Sequence, residues 1–376
     1  MRVLFSSTSG HGHVIPMVQL GRAFQAAGHA VLWATAAQAT PLVTAAGIEA
    51  VAAGASGPEE AALRGAVFAR TADLPGQGRA AFVFPRMFGE ALTPPMAEDL
   101  LALARSWRPD LLVHEQAELA APLVGAIESI PSVTHSFGTA VPVAILEDTT
   151  TVLAGLWRAH GLEVPPFAGS FRDGYLDICP RSVQSTPVDH IPDVQPLRPV
   201  AGAGPVTPPA QPLVYVTLGT VQKDPGLLRT VVAGVAGLPV RVLVAVGPGI
   251  EPAALGEQPA HVQVERWVDQ DAVLDRATAV VSHGGSGTFL GALARGLPQL
   301  CLPQAADQFR NAEGGTRAGA ALVVVPDQLT ADAVRAAGEQ LLSDPGLRSS
   351  AVRVSAEIAM MPSAAEVVSL LADRHG

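Results

Sequence analysis

The residue run with the most chemical potential lies at positions 282–288 and reads SHGGSGT. It follows an apolar run, Ala279–Val281, and precedes a stretch of helical sequence that ends near Gly296. Glycines let the backbone approach a ligand closely, and a helix start offers unpaired N–H groups and a positive dipole end. With the donors of His283, Ser286 and Thr288, the run predicts a cradle for a pyrophosphate. A tight turn with a capping serine is the alternative.

A second run, at positions 10–16, reads GHGHVIP and lies between a predicted strand and a predicted helix. A histidine in such a loop can serve as a general base, because its pKa lies near the working pH. Taken alone, His13 is explained more simply as a residue that caps the helix. A base therefore needs a partner elsewhere in the chain.

Several better-known site types are excluded by single residues. Residues 284–288 lack the final glycine of a hydrolase nucleophile elbow, and no P-loop is present. Ile15 stands where a dinucleotide fingerprint needs its third glycine, and Glu118 stands where a zinc-protease helix needs its second histidine. Asp269 and Asp271 have the spacing of a manganese-binding pair, but the dipole argument predicts that they begin a helix.

A third candidate run, PQAADQ at positions 303–308, follows another apolar run. Asp307 and Gln308 could hydrogen-bond the hydroxyls of a sugar. An ordinary polar turn explains the same residues equally well, so both interpretations stay open.

These loops need a scaffold, and the sequence predicts strands that alternate with helices. Pro16–Ala27 reads as a helix with proline in its first turn, and Ser363–Asp373 reads as the last helix. Short apolar runs predict the strands: Val3–Ser6, His29–Thr35, Leu111–His114, Ser132–His135, Leu213–Leu218, Val240–Val246, Val262–Val264, Ala279–Ser282 and Gln299–Leu302. This alternation is typical of parallel, doubly wound sheets, whose ligands bind beyond the carboxyl ends of the strands.

The chain length of 376 residues suits two domains, and the stretch from Pro192 to Pro212 divides them. We predict that this stretch is an irregular linker, because prolines crowd it: Pro192, Pro196, Pro199, Pro205, Pro208, Pro209 and Pro212.

Composition narrows the function classes. The formal net charge of −10 repels phosphate backbones, so nucleic-acid binding is disfavoured. We expect no signal peptide and no membrane span, since no stretch approaches ~20 uninterrupted apolar residues. Cys179 and Cys301 are predicted to be buried free thiols, which fits a reducing cytoplasm. Self-association is left open.

Taken together, these residues resemble the family 1 glycosyltransferases, above all the bacterial enzymes that decorate antibiotics and other natural products. The resemblance covers nearly the whole chain and is most specific over 264–311, where Trp267 and Gln270 precede SHGGSGT and PQAADQFRN. Near the start, GHVIP matches the Gly-His-x-x-Pro of that family. One departure is Asp269, which stands where those enzymes usually have proline.

The resemblance implies a GT-B fold, with two Rossmann-like doubly wound domains that face a central cleft. Residues 1–195 would bind the acceptor, 196–212 would be the linker, 213–360 would bind the nucleotide sugar, and 361–376 would form a helix that crosses back to the first domain. His13 would be the base, and Glu115, in a position that usually holds aspartate, would orient it. No cofactor and no metal would be needed.

The resemblance also assigns the binding residues. The donor, a dTDP-sugar or a UDP-sugar, would contact Thr220, Trp267, Val268, His283, Gly285, Ser286, Gly287, Thr288, Asp307 and Gln308. Aromatic and apolar residues cluster in two other stretches and could form an acceptor pocket, although core packing explains them as well: Phe68, Phe82, Phe84, Met87 and Phe137.

The expected activity is the transfer, with inversion, of a deoxysugar from dTDP to a hydroxyl of a hydrophobic natural product. Two alternatives stay open: a sugar-nucleotide epimerase or hydrolase of the same fold, and a protein that binds a natural product without catalysis.

Overall fold

The computed structural model describes residues 1–376 except 72, 73, 75, 201, 203, 208 and 220–223. These residues form two compact units. The first unit comprises Met1–Ile178, Thr186–Leu197 and Pro362–Gly376, and the second comprises Cys179–Ser185 and Arg198–Met361. Each unit has its own sheet, and every strand pairing is parallel, so the predicted doubly wound α/β class is confirmed.

The first unit is built on a seven-stranded sheet of order β3-β2-β1-β4-β5-β6-β7. Its inner strands are buried along almost their full length, as expected where helices cover both faces of a parallel sheet. The strands are β1 (Arg2–Ser6), β2 (Ala30–Thr35), β3 (Glu49–Ala52), β4 (Leu111–Glu115), β5 (Ser132–His135), β6 (Tyr175–Asp177) and β7 (Val194–Pro196).

The helices of the first unit connect these strands in chain order. They are α1 (His11–Ala26), α2 (Thr40–Ala45), α3 (Pro58–Ala69), α4 (Gly76–Phe84), α5 (Thr93–Trp107), α6 (Ala120–Glu128) and α7 (Val143–Ala159). A π-helical segment, Pro85–Leu92, joins α4 to α5, and short 3₁₀ turns lie at Ala37–Ala39 and Pro166–Gly169.

The second unit repeats the pattern with a six-stranded sheet of order β10-β9-β8-β11-β12-β13. Its strands are β8 (Leu213–Thr217), β9 (Arg241–Ala245), β10 (Val262–Glu265), β11 (Ala279–Ser282), β12 (Gln299–Cys301) and β13 (Ala321–Val323). Its helices are α8 (Pro225–Val235), α9 (Gln270–Leu274), α10 (Ser286–Ala294), α11 (Gln308–Arg317), α12 (Ala331–Ser343) and α13 (Pro345–Met360), with 3₁₀ turns at Pro252–Leu255 and Pro326–Gln328.

The last helix, α14 (Ala364–His375), belongs to the first unit and packs against α1. It begins with a capping box, in which the Ser363 hydroxyl accepts the Glu366 N–H while the Glu366 carboxylate accepts the Ser363 N–H. By length and composition alone, Pro345–His375 could cross a membrane. This stretch is two helices, α13 and α14, which are separated at residues 361–363.

The start of α1 differs from the prediction. The helix begins at His11, and Pro16 lies inside it. A proline at that position leaves only one carbonyl, that of Gly12, without its usual N–H donor, and the φ angle of proline fits a helix. Gly10 is the N-cap, and no side chain caps the helix, so the interpretation of His13 as a cap is wrong. His13 lies in the first helical turn.

The proline-rich stretch is also more ordered than predicted. Val194–Pro196 forms β7 at the edge of the first sheet, where a proline at the strand end costs no ladder hydrogen bond. Further on, the Val206 N–H donates to the Arg295 carbonyl, and the Val206 carbonyl accepts from Arg348. This part of the stretch is therefore attached to the second unit.

The strand order reverses once in each sheet. β1 lies between β2 and β4 in the first sheet, and β8 lies between β9 and β11 in the second. The chain leaves β1 and β4, and likewise β8 and β11, toward opposite sides of the sheet. This opens a crevice beyond the carboxyl ends of each strand pair, which is where open α/β sheets bind ligands.

We predict that Gly314→Ala will destabilise the second unit by about 2–3 kcal/mol, as overpacking does. An added Cβ at Gly314, on α11, would overlap the Val183 carbonyl oxygen, and backbone cannot yield as a side chain can. The thermal unfolding midpoint measures the loss. The control is Gly155→Ala on α7, where an added Cβ meets nothing within 4 Å and helix propensity favours alanine. Equal midpoints for the two variants would contradict the packing argument.

Candidate active site

The crevice of the first unit holds an imidazole and a carboxylate in contact. His13 lies in the first turn of α1, directly after the loop that follows β1, and Glu115 is the last residue of β4. Because β1 and β4 are paired in register, with Ser6 opposite His114, their ends meet. Nδ1 of His13 lies 3.1 Å from Oε1 of Glu115, at ion-pair distance without full hydrogen-bond alignment. The structure thus brings together the two residues that the resemblance had paired.

Glu115 is a fully buried carboxylate with several donors. The Thr8 hydroxyl and N–H donate to Oε1 at 2.9 and 3.3 Å, and the Ala117 N–H donates to Oε2 at 2.6 Å. Burial by itself raises the pKa of the Glu115 carboxyl, but the positive charge available on His13 and these hydrogen bonds outweigh it and lower the pKa. Glu115 is therefore an ionised group in a fixed orientation.

Two aromatic rings flank His13. The Phe137 ring meets the imidazole edge-on at 5.0 Å between centroids, and the Phe88 ring lies at 5.5 Å. Their apolar faces leave the imidazole only about a fifth exposed. Phe137 was among the predicted acceptor residues, and Phe88 belongs to the aromatic stretch, residues 68–88, that suggested the acceptor pocket. Close packing also explains Gly10, since a Cβ there would lie 2.7 Å from the His13 ring.

The other predicted acceptor residues have different surroundings. Phe84 packs against Phe88, with 5.1 Å between ring centroids. Phe82 lies under guanidinium groups of Arg70 and Arg86. Phe68 is more than half exposed on α3. Only Phe84 and Phe137 are therefore connected through ring contacts to His13.

Met87 is a core residue. It is 1% exposed and packs in a cluster with Val67 and Leu92. An acceptor could reach it only by displacing that cluster, so its prediction as a contact residue is corrected. The sequence could not separate the two cases, because a buried methionine and a pocket methionine have the same type and spacing.

A pocket of the first unit adjoins the His13–Glu115 pair. Thr8, which donates to Glu115, and Phe88, which flanks His13, also line this pocket. Its lining combines hydroxyls, apolar side chains and two carboxyl groups, which are those of Glu60 and Glu118. Glu60 is held by Arg64 and by the Ser9 hydroxyl, each at 2.6 Å. The volume of the pocket, about 30 Å³, is that of a single water molecule, so this pocket by itself is too small for an acceptor.

Glu118 is a buried carboxyl that the sequence argument treated only as a failed zinc motif. It accepts hydrogen bonds from the Ser6 hydroxyl at 2.6 Å and from the Ala120 N–H at 2.7 Å. Burial raises the pKa of Glu118 to about 7, the nearby charge of Glu115 adds to the rise, and the hydrogen bonds oppose it. Its position at the start of α6 was the available signal, since a carboxylate is favoured at a helix N-terminus.

Two neutral histidines lie behind the pair. His114 donates from Nδ1 to the Glu118 carbonyl at 2.7 Å, and His135 donates from Nδ1 to the Ser136 carbonyl at 2.5 Å. Burial is the main cause that lowers the pKa of each imidazole to about 4. Neither has solvent access, so both serve the structure of the loop rather than exchange protons with a ligand.

The crevice of the second unit holds His283, which follows β11. Gly219, after β8, and Gly285 flank the imidazole closely: a Cβ at Gly219 would lie 2.8 Å from Nε2, and one at Gly285 would overlap it. Burial lowers the pKa of His283, and the negative charge of Asp307 and the Thr217 backbone only partly offset it. The glycines are thus required by the position of the histidine as well as by any ligand.

The predicted cradle has the expected geometry. Gly285 is the N-cap of α10, which begins at Ser286, so the first N–H groups of the helix have no helical acceptor. Gly287 is exposed in this first turn, and an added Cβ there would meet nothing within 4 Å. Thr288 donates from its hydroxyl to Gln270 at 2.8 Å. The N-terminus of α10 is therefore an open site for an anion.

Two further predicted donor residues, Asp307 and Gln308, lie beside this helix start. The Ser286 hydroxyl donates to the Asp307 carboxylate at 2.6 Å. The amide of Asn311, a residue not predicted, donates to Asp307 at 3.0 Å and to the Gly284 carbonyl at 2.8 Å. Gln308 accepts N–H groups of residues 304 and 305 through its side-chain oxygen.

The segment predicted to hold a nucleobase precedes α9. Trp267 is 61% exposed, and Val268 packs against the core. Asp269 caps α9 by accepting the Ala272 N–H, so the prediction that this acidic residue begins a helix is confirmed. Thr220, the last predicted donor residue, lies outside the described residues.

Within the part of the chain that the structure describes, no three His, Cys, Asp or Glu side chains are grouped to hold a metal. Cys179 and Cys301 are buried free thiols, as predicted.

Comparison with known proteins identifies similar sequences and structures, which are named as glycosyltransferases or sugar transferases. The family models for the N- and C-terminal domains of erythromycin biosynthesis protein CIII-like proteins match residues 22–197 and 229–373. The L-demethylnoviosyl transferase of Streptomyces niveus is 35% identical, over 99% of this chain and 98% of that protein. The glycosyltransferase SnogD of Streptomyces nogalater superposes with a TM-score of 0.76 and 31% identity, over 100% and 99% of the chains. The glycosyltransferase SsfS6 of Streptomyces sp. SF2575, complexed with thymidine diphosphate, superposes with a TM-score of 0.80 and 27% identity, over 99% of both. The expected GT-B fold is confirmed.

We predict that Glu118→Gln will steepen the loss of stability on acidification. In the fold, His114 and His135 protonate near pH 4 instead of 6.5, so the unfolded state binds more protons and stability falls between these values. Glu118 acts in the opposite sense, because its folded carboxyl takes up a proton near pH 7 and its unfolded carboxyl near 4.5. Removing Glu118 should add about 2–3 kcal/mol to the loss between pH 7 and pH 5.

Unfolding midpoints measured from pH 4.5 to pH 8 check this prediction. The control is Glu128→Gln at the other end of α6, a partly exposed carboxylate that pairs with Arg105. Parallel curves for the wild type and Glu118→Gln would show that Glu118 is already ionised throughout.

Proposed function

We propose that this chain, which belongs to the erythromycin biosynthesis protein CIII-like family of glycosyltransferases, moves a deoxysugar from dTDP to a hydroxyl of a hydrophobic natural product, with inversion. Membership of this family establishes that the protein is a glycosyltransferase. The donor, the acceptor class and the stereochemistry are the proposed parts. The thymidine diphosphate complex of SsfS6 supports the choice of donor.

The single observation that carries the proposal is the contact of His13 with buried Glu115 at 3.1 Å. A protein that only stores a ligand gains nothing from a partly exposed imidazole backed by a buried carboxylate. A catalyst gains a base whose protonated form is stabilised. This pair therefore favours catalysis over sequestration.

The base step follows from this geometry. Nδ1 of His13 faces Glu115, so Nε2 is the atom left to take a proton. It removes the proton from the acceptor hydroxyl as the oxygen attacks the anomeric carbon. The new positive charge on the ring lies against Glu115, whose carboxylate stabilises it. One displacement on the face opposite the leaving group inverts the anomeric configuration.

In this proposal, the second unit stabilises the leaving group. As the bond between the anomeric carbon and the diphosphate breaks, negative charge grows on the diphosphate oxygens. The free N–H groups at the start of α10, its dipole and the His283 imidazole are placed to stabilise that charge. We assign no metal to this step, and Asp269 and Asp271 already have partners in the fold.

The acceptor is assigned to the first unit beside His13, where the pocket of about 30 Å³ would form one part of its binding surface. Phe88, Met96 and Leu92 give it apolar walls, while Ser9 and Glu60 provide polar groups. Such a lining suits a mostly hydrophobic molecule with a few hydroxyls.

Donor turnover with and without an added acceptor tests the function directly. A glycosyltransferase consumes a dTDP-sugar at a high rate only when an acceptor hydroxyl is present. Equal consumption without acceptor would identify an epimerase or hydrolase, and no consumption under either condition, with the acceptor bound, would identify a binding protein.

We predict that His13→Ala will lower turnover by about 10²–10⁴-fold, because it removes general-base assistance. Glu115→Gln keeps the shape but removes the stabilising charge, so it should also slow turnover. The two losses should be strongly non-additive in the double variant, since the residues act as a unit. Nucleotide affinity, measured by calorimetry, should stay unchanged because the nucleotide is assigned to the second unit.

The matched control is His11→Ala, an exposed histidine in the same helical turn, which should keep full turnover. Additive losses in the double variant, or an active His13→Asn variant, would refute the catalytic pair.

We predict that His283→Ala will weaken binding of the nucleoside diphosphate by about 1–3 kcal/mol, the range for a hydrogen bond to a charged group. Calorimetry with dTDP and UDP measures the change. His261→Ala, an exposed histidine in the same unit, is the control and should bind normally. An unchanged affinity in His283→Ala would remove the diphosphate from this cradle.

A further inference from the structure

Two separate elements of the second unit are assigned to the two ends of the nucleotide. The segment before α9 carries the exposed Trp267. The start of α10 carries the N–H groups and Ser286. A nucleoside diphosphate has a fixed reach between its base and its phosphates, so these two elements must keep a fixed separation to bind both ends at once.

Helix α9 cannot hold its own position. It has only five residues, Gln270–Leu274, and a helix of this length has little stability of its own. The hydrogen bond of its N-cap, Asp269, to the Ala272 N–H is a contact within the helix and does not connect α9 to the rest of the unit. Contacts with the rest of the unit must therefore fix it.

Val273 and Leu274 of α9 pack in the apolar core of this unit, and three further contacts join α9 to α10 and the residue that follows it. At one end, the Thr288 hydroxyl donates to Gln270 at 2.8 Å. In the middle, Gly291 lies so close to Leu274 that an added Cβ would be 3.2 Å from its side chain. At the other end is Arg295, the C-cap of α10.

Arg295 makes ion pairs with two residues at the same time. Its Nε donates to Asp275 at 2.5 Å, and its Nη2 donates to Asp271 at 3.0 Å. The arginine side chain is only 8% exposed, whereas the carboxylates of Asp271 and Asp275 are 75% and 61% exposed. A third donor, Nη1, reaches the Gly291 carbonyl at 3.3 Å. A planar guanidinium held by three acceptors fixes both distance and angle, which a lysine cannot do.

We propose that Arg295 is a positioning residue of the donor site, which clamps α9 to α10 and so sets the separation between the nucleobase end and the diphosphate end. This inference rests on the proposed function, because it takes the ligand to be a nucleoside diphosphate. Arg295 touches neither end of the ligand. It acts through the two helices.

The clamp makes a prediction that a general stabilising role would not make. Without it, α9 and α10 still pack together through Thr288, Gly291 and the apolar core, but their spacing is less tightly fixed. A ligand that spans both elements should lose affinity, and a ligand that uses only the start of α10 should not. The exposed carboxylates are solvated by water once the arginine is gone, so the variant should still fold.

The experiment compares dTDP and UDP with inorganic pyrophosphate, by calorimetry or competition, in four proteins. In Arg295→Met, which keeps the aliphatic stem, we expect the Kd of the nucleotide to rise roughly 5–20-fold while that of pyrophosphate stays within about twofold. Arg295→Lys should fall between this variant and the wild type. The control is Arg335→Met, which breaks an exposed pair with Glu339 in the same unit and should bind both ligands normally.

An unchanged nucleotide affinity in Arg295→Met would overturn the clamp while leaving the function intact. Equal losses for nucleotide and pyrophosphate would also overturn it, because they would indicate loosening of the whole unit. Should Arg295→Met fold poorly, Asp275→Asn removes one arm of the clamp and should show the same selective loss on a smaller scale. A wild-type protein that binds neither dTDP nor UDP would overturn both the clamp and the proposed function.

Discussion

The reversal of strand order in each sheet is the constraint on which both half-sites depend. In an open parallel sheet, the loops that follow two neighbouring strands diverge and leave a crevice where the strand order reverses, and each sheet has one such point. In the first unit this point joins the end of β4, with Glu115, to the start of α1, with His13. In the second it joins Gly219 to the loop that carries His283. No other strand pair in the described residues has this arrangement, and the candidate chemistry is found at these two points.

Burying a charged carboxylate costs free energy, and the surroundings of Glu115 and Glu118 reduce that cost in two different ways. Glu115 is kept charged by an imidazole and by N–H and O–H donors, so its pKa falls despite full burial. Glu118 has donors too but no cationic partner, and the repulsion of Glu115 adds to its burial. Its pKa rises instead. Two carboxyls in one loop are thereby separated into an ionised group that can support a base and a group that is neutral over part of the physiological range.

Sequence reasoning succeeded where a residue type has a local cause and failed where tertiary context decides. The alternation of apolar runs and the glycine-rich loops predicted the sheets and the start of α10, because strand burial and helix capping follow from nearby residues. Pro16 misled the placement of α1, since a proline tolerated in the second turn looks the same as one in the first. β7 was missed because its pairing comes from the sheet edge and not from its own proline-rich sequence. Met87 could be assigned to the core only from the packing around it.

The hydrogen bonds around Ser286 indicate which groups of the predicted donor site suit a diphosphate and which suit a sugar. The only proton of the Ser286 hydroxyl is directed to Asp307, so in this state the hydroxyl has none to offer a phosphate oxygen. Asp307 itself is negative and would repel a diphosphate placed against it. The backbone N–H groups of α10 and His283 are then the donors that suit the diphosphate. Asp307, held in place by Asn311, suits an uncharged partner with hydroxyl donors, as a sugar has. Under the proposed function, the carboxylate that would bind the sugar would also keep the phosphate on the helix side of the loop, and so would orient the donor before any acceptor is bound.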